Sequence, residues 1–164
     1  MHALDWTDQF FTGVREWSKE VVDCISLCIH LPEVEGDEER QQSWNRTRTA
    51  LAALCDRGRW FFPNKFEDQY GTQREPAYRG LRRRILDHVV AAYDAIKTCP
   101  SHGDRSAHPL LVASQRGFVS EVQTVLNPRH REDQIAAVLA RFGIADRMRD
   151  AGDDEKENRT STKP

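Results

Sequence analysis

Long apolar runs are missing from this 164-residue chain. The most apolar stretch, Val21 to Leu31, is interrupted by Asp23, Ser26 and His30 and falls short of the roughly 20 residues a membrane helix needs, so no membrane insertion is expected. The first residues, Met1 to Trp6, carry no basic region ahead of an apolar run, which argues against a secretory signal and for a cytoplasmic protein. An excess of one charge is also missing. With 24 Lys and Arg against 26 Asp and Glu the net charge is -2, so no global field draws in nucleic acid or an anionic membrane, and such binding would need a local patch. Cysteine is scarce: Cys24, Cys28, Cys55 and Cys99 read as reduced thiols rather than a disulfide framework in a cytoplasmic chain. No glycine-rich phosphate loop, Ser/His/Asp arrangement, nucleotide fingerprint or carboxylate pattern of a metal-dependent nuclease is visible, and no cofactor is expected.

What is present has the period of helices. A charged fraction of 30% and a mean hydropathy of -0.71 fit slender helices with wide solvent faces. The length suits one domain with a proper core. Phe10, Val14, Trp17, Val21, Cys24 and Cys28 recur at steps of four and three, predicting a first helix that begins after Asp5 or Thr7 and ends near His30, ahead of Pro32. After an acidic link from Glu33 to Glu39, Asp37 can cap a second helix with Trp44, Thr47 or Arg48, Leu51, Leu54 and Cys55 inward, and Gly58 stands where a left-handed cap would close it. A loop from Lys65 to Glu75 leads to a third helix opened by Pro76, with Tyr78, Leu81, Ile85, Val89, Ala92, Tyr93 and Ile96 along one side. Arg79, Arg82, Arg83 and Arg84 would then crowd its first turns, where the helix dipole disfavours cations. Pro109 can open a fourth helix bearing Leu111, Phe118, Val122 and Val125, and Pro128 a fifth bearing Ile135, Val138, Leu139 and Phe142. The domain is read as residues 1–149, followed by a disordered charged tail over 150–164.

Between the second helix and the loop lies Arg57-Gly58-Arg59-Trp60-Phe61-Phe62-Pro63-Asn64. Three large aromatics in a row are costly to leave in water, at roughly 1.5–3 kcal/mol per buried large side chain. Pro63 also pushes Phe62 toward extended geometry. The stretch therefore reads as an extended connector plugged into the core, with Trp60, Phe61, Phe62 and Pro63 joining Trp17, Trp44, Ile85, Val89, Phe118 and Val122 as structural core. The same string, with Ala77-Tyr78-Arg79-Gly80, Leu86-Asp87, Phe118 to Gln123 and Asn127-Pro128-Arg129, resembles a signature of uncharacterised bacterial all-helical proteins with no known activity. The resemblance covers about half of the chain and implies a helical domain type and no catalytic residue.

Three groups of residues could carry chemistry. Cys24, Cys28 and His30, with Cys99, His102 and His108, contain metal-ligating types, but the first two thiols fall in an apolar stripe and Cys99-x2-His102 is half a site, so no metal is expected. Arg83 and His88 show an R-x4-H spacing similar to the short motif of the HEPN ribonucleases, which implies metal-independent RNA cleavage by an arginine and histidine brought together. The plainer reading is a histidine beside Asp87 and arginines in ion pairs. Third, Arg79, Arg82, Arg83 and Arg84, with Arg57, Arg59, Lys65 and Arg74, could form a phosphate or nucleic-acid patch in which an exposed Trp60 or Tyr70 stacks on bases, although Glu67, Asp68 and Glu75 interrupt it. The sequence thus predicts an all-α bundle of about five helices serving as a non-enzymatic intracellular interaction module for another protein. The ribonuclease and the anion patch are the alternatives.

Overall fold

The first helix, α1 (His2–His30), starts ahead of the predicted Asp5 or Thr7, and of the predicted stripe Val14, Trp17, Val21 and Cys28 are buried, joined by Ser18 and Ile25, while Cys24 is half-buried and Phe10 exposed. The computed structural model describes residues 2–67, 70–99, 104–129, 132 and 136. Pro32 converts the chain after α1 into a short 3-10 turn, Leu31–Glu33, whose Leu31 is buried. Gly36, at φ +86°, precedes α2 (Asp37–Phe61), so Asp37 is the first helical residue rather than the cap. Asp37, Glu38 and Glu39 then face the positive end of the helix dipole. Arg40 secures the link by donating to the Val34 carbonyl at 3.0 and 2.7 Å and to Asp37 at 3.0 Å.

Helix α2 packs on both α1 and α3 (Arg84–Thr98), burying Thr47, Leu51 and Leu54 at steps of four and three. Arg48 is exposed, and Trp44 and Cys55 are half-buried. From α3 come Ile85, Leu86, Val89, Ala92, Ala95 and Ile96. Helix α4 (His108–Leu126) contributes Leu111, Ser114 and Phe118. It is tied to α1 by the Gln115 amide, which donates to Ser26 Oγ at 2.6 Å. The centre is Trp17: its indole N–H donates to the Leu54 carbonyl at 3.0 Å, and its ring meets Phe61, Phe62 and Phe118 at centroid distances of 6.2, 5.6 and 5.4 Å. Of the predicted core, Trp17, Ile85, Val89 and Phe118 are buried, while Trp44 and Val122 are half-buried.

The aromatic stretch departs from the expected plug. Trp60 and Phe61 form the last turn of α2, and only Phe62, at φ -127° and ψ 69°, leaves the helix ahead of Pro63. Consecutive helical residues fan out by about 100°, so three neighbours cannot all face one core. Phe61 turns toward α1 and Phe62 toward Trp17, both half-buried, while Pro63 is exposed and Trp60 is 77% exposed. Gly58 is not a cap either. It lies within α2 and is a notch, since a Cβ there would come within 2.5 Å of both Leu86 and Trp17.

The third helix also starts later than predicted. Pro76–Tyr78 is a 3-10 turn, Gly80 has φ +79°, and α3 begins at Arg84 with Arg83 as its N-cap. Arg79, Arg82 and Arg83 therefore precede the helix, and of the predicted cluster only Arg83, at the N-cap, and Arg84 stand at the positive end of its dipole. Tyr78 and Leu81, predicted to line the core, are 39% and 38% exposed.

Four α-helices are present among the described residues where about five were predicted. The fifth falls mostly outside them, with Pro128, Arg129, Glu132 and Ala136 helical. The chain groups into two units, Met1–Gln123 and Thr124–Pro164. The predicted boundary at 149/150 and the tail lie outside the described residues. Among the described residues, no helix is long and apolar enough to cross a membrane.

Candidate anion-binding groove

The segment between α2 and α3 doubles back on itself because its base is pinned. Lys65 and Leu81 exchange both backbone hydrogen bonds at 2.8 Å, and the Gly80 N–H donates to the Tyr70 carbonyl at 3.0 Å. Gly80 is required at this pinch: its φ is positive, and a Cβ would lie 2.1 Å from the Lys65 carbonyl oxygen. Within the loop, the Arg74 N–H donates to the Gly71 carbonyl at 2.9 Å and the Tyr78 N–H to the Glu75 carbonyl at 2.8 Å, so the backbone supplies much of its own structure.

This closure leaves a groove of about 410 Å³ lined by Arg59, Asn64, Tyr70, Arg74, Tyr78, Gly80, Leu81, Arg82 and Asp87. Arg59 forms its deepest cation, with a side chain only 15% exposed. Its Nη1 donates to Asn64 Oδ1 at 3.0 Å, and its guanidinium carbon lies 4.5 Å from the centre of the Tyr78 ring. Its Nε is enclosed and has no hydrogen-bond acceptor among the described residues; Asp56 Oδ1, at 3.7 Å, supplies charge but is too distant for a hydrogen bond. The Arg74 guanidinium lies over Tyr70 at 5.6 Å and has no carboxylate partner among the described residues. The Arg82 Nε donates to Asp87 at 2.6 Å. The Tyr78 hydroxyl donates to Asp56 at 2.9 Å, and that carboxylate raises the Tyr78 phenol above its ordinary range, keeping it a donor.

Of the seven arginines singled out in the sequence, Arg59, Arg74 and Arg82 converge on the groove. Arg79 braces the loop by donating to the Arg74 carbonyl at 2.9 Å, and Arg83 does so to the Pro63 carbonyl at 3.3 Å. Arg57 pairs with Glu20 of α1 at 2.8 Å, and Arg84 with Glu121 of α4 at 3.3 Å. Asn64 and Tyr78 were not recognised as site residues. Tyr78 fitted the core stripe of a helix that does not form, and the signal that could have placed it is Gly80, a breaker two residues on.

Compared with protein-family models, curated proteins and solved structures, this chain has no match.

The other constellations are differently placed. Arg83 reaches back to the loop, whereas the His88 ring is pressed on α4, where a Cβ on Gly117 would come within 2.3 Å of it. Cys24 Sγ donates to the Thr47 carbonyl at 3.6 Å, and the neighbouring Cys24 thiol, together with burial, raises the Cys28 thiol well above its usual range. Cys99 lies near the Asp104 carbonyl at 3.7 Å, and His102 is outside the described residues. Among the described residues, no group of three or more His, Cys, Asp or Glu is disposed to hold a metal.

Behind the groove, burial pushes the Cys55 thiol up to about 11, with Asp56 adding to the shift and Arg82 and Arg59 opposing it. At pH 8 about one Cys55 in a thousand is then thiolate, against roughly a quarter for an unperturbed thiol. Labelling of Cys55 by a thiol reagent at pH 8 is expected to be at least a hundredfold slower, to order of magnitude, in native protein than in urea-unfolded chain. Peptide mapping of the labelled cysteines checks this, and comparable rates in the two states would contradict the burial described.

Proposed function

We propose that this chain is a non-enzymatic binding module whose ligand carries a phosphate-type anion, seated in the groove between Arg59, Arg74 and Arg82. The observation that carries this reading is the convergence of Arg59, Arg74 and Arg82 on one groove, in which Arg74 has no carboxylate partner among the described residues. The Arg59 and Arg74 guanidinium groups lie over the Tyr78 and Tyr70 rings at 4.5 and 5.6 Å, and a guanidinium can offer paired hydrogen bonds to phosphate oxygens. Local charge agrees: residues 56–84 hold eight Lys or Arg against four Asp or Glu, in a chain whose overall balance is slightly acidic.

The ribonuclease alternative draws no support from the neighbours of Arg83 and His88, which lie on the loop and on α4 respectively.

Isothermal titration with inorganic pyrophosphate tests the reading. Saturable binding is expected, weakened about tenfold to a hundredfold by Arg59→Gln or Arg74→Gln, the loss associated with a hydrogen bond between charged groups. Arg57→Gln, which removes a cation paired with Glu20 away from the groove, is expected to change it less than threefold, to order of magnitude. Absence of saturable binding, or equal effects of all three substitutions, would overturn the proposal.

A further inference from the structure

We infer that the groove belongs to a binding surface for single-stranded nucleic acid, with one phosphate between Arg59, Arg74 and Arg82 and adjacent bases laid on the rings of Trp60 and Phe66. This rests on the anion-binding reading and adds the identity of the ligand. Trp60 and Phe66 are 77% and 76% exposed. Each belongs to an element that builds the groove. Trp60 follows Asp56, the acceptor of the Tyr78 hydroxyl, by one turn on the same face of α2. The Phe66 backbone lies against Gly80, a lining residue.

Cationic grooves flanked by open aromatic rings are what an unpaired strand requires, because the backbone needs neutralising and each base offers a flat face. The groove volume, about 410 Å³, lies in the range of sites that take one small unit, which fits a single nucleotide of a longer strand passing over the surface. A duplex keeps its bases stacked on one another and would leave both rings without partners. An acidic peptide could answer the arginines but offers the rings no planar group. Recognition through backbone charge and base faces makes the surface tolerant of sequence.

The experiment is fluorescence anisotropy of the full chain with labelled U12 and dT12, a 12-base-pair duplex and a glutamate-rich peptide, over a potassium chloride series. Either single strand, or both, is expected to bind more tightly than duplex and peptide. A preference for U12 would place a contact on the ribose hydroxyl. The logarithm of affinity should fall with the logarithm of salt at a slope of about -0.7, the value for one neutralised phosphate of a single strand. Trp60→Ala and Phe66→Ala should each weaken strand binding about tenfold or more, as loss of a base stack does, while melting temperature and pyrophosphate affinity stay at wild-type values. If pyrophosphate binds but the double alanine variant holds U12 and dT12 as well as wild type does, the inference fails and the anion site stands. It fails in the same way if duplex or peptide matches the single strands. If pyrophosphate does not bind, both readings fail.

Discussion

Phe118→Ala is expected to remove about 3–5 kcal/mol of stability, the range for truncating a fully buried phenylalanine. Phe118 has no exposed surface, and its ring meets Trp17 edge-on at 5.4 Å and 72°. Truncation therefore loses the transfer free energy of the ring, leaves a cavity among helices that can close only in part, and removes an aromatic contact of about 0.5–1.5 kcal/mol already contained in that total. Against a typical stability of about 5–15 kcal/mol, this is a large fraction. Urea unfolding should show a lower midpoint with an unchanged slope. Phe118→Leu should lose less, because it keeps most of the apolar volume. A loss below about 1 kcal/mol for the alanine variant would mean that α4 does not close over Trp17 as described.

Gly80→Ala is expected to open the base of the loop and abolish pyrophosphate binding. Two costs combine at this position. A residue with a Cβ at φ +79° loses roughly 1–2 kcal/mol from the left-handed conformation. In addition, the new methyl would lie 2.1 Å from the Lys65 carbonyl oxygen, a backbone atom that cannot rotate away, so the reciprocal Lys65–Leu81 hydrogen bonds must separate. Gly36 separates the two terms: at φ +86° a methyl added there would meet nothing within 4 Å, so Gly36→Ala should show the conformational cost alone. The measurement compares both variants in urea unfolding and pyrophosphate titration. Equal stability losses, or retained binding in Gly80→Ala, would contradict the pinned loop.

Much of the helical framework could be read directly. The steps of three and four that pointed to Val14, Trp17 and Val21 describe a real buried stripe, because on a regular helix spacing alone decides which residues share a face. Pro32 stopped α1 for a reason internal to the residue. Structure and local signal part where two local preferences compete. Trp60, Phe61 and Phe62 carry enough apolar surface to suggest a plug, but whether three neighbours share one environment depends on whether the backbone is extended or helical, and Pro63 constrains only Phe62. Pro76 is a sound helix opener, yet Gly80 and the Lys65–Leu81 pairing turned the following residues into loop.

The candidate site shows the same division. That arginines were numerous between residues 57 and 84 was plain from their order in the chain. Their division into three that converge on a groove, two that brace a loop and two that pair with other helices depends on residues as distant as Glu20 and Glu121.

By itself the sequence determined the helical class, the buried stripes of α1 and α2 and the presence of a basic, aromatic segment between α2 and α3, because propensity, period and composition act over a few neighbouring residues. Only the tertiary structure decided that Trp17 and Phe118 occupy the centre while Trp60 faces water, and that Arg59, Arg74 and Arg82 meet. Those outcomes depend on how a closed loop and separate helices share space, and short-range preferences along the chain do not encode that sharing.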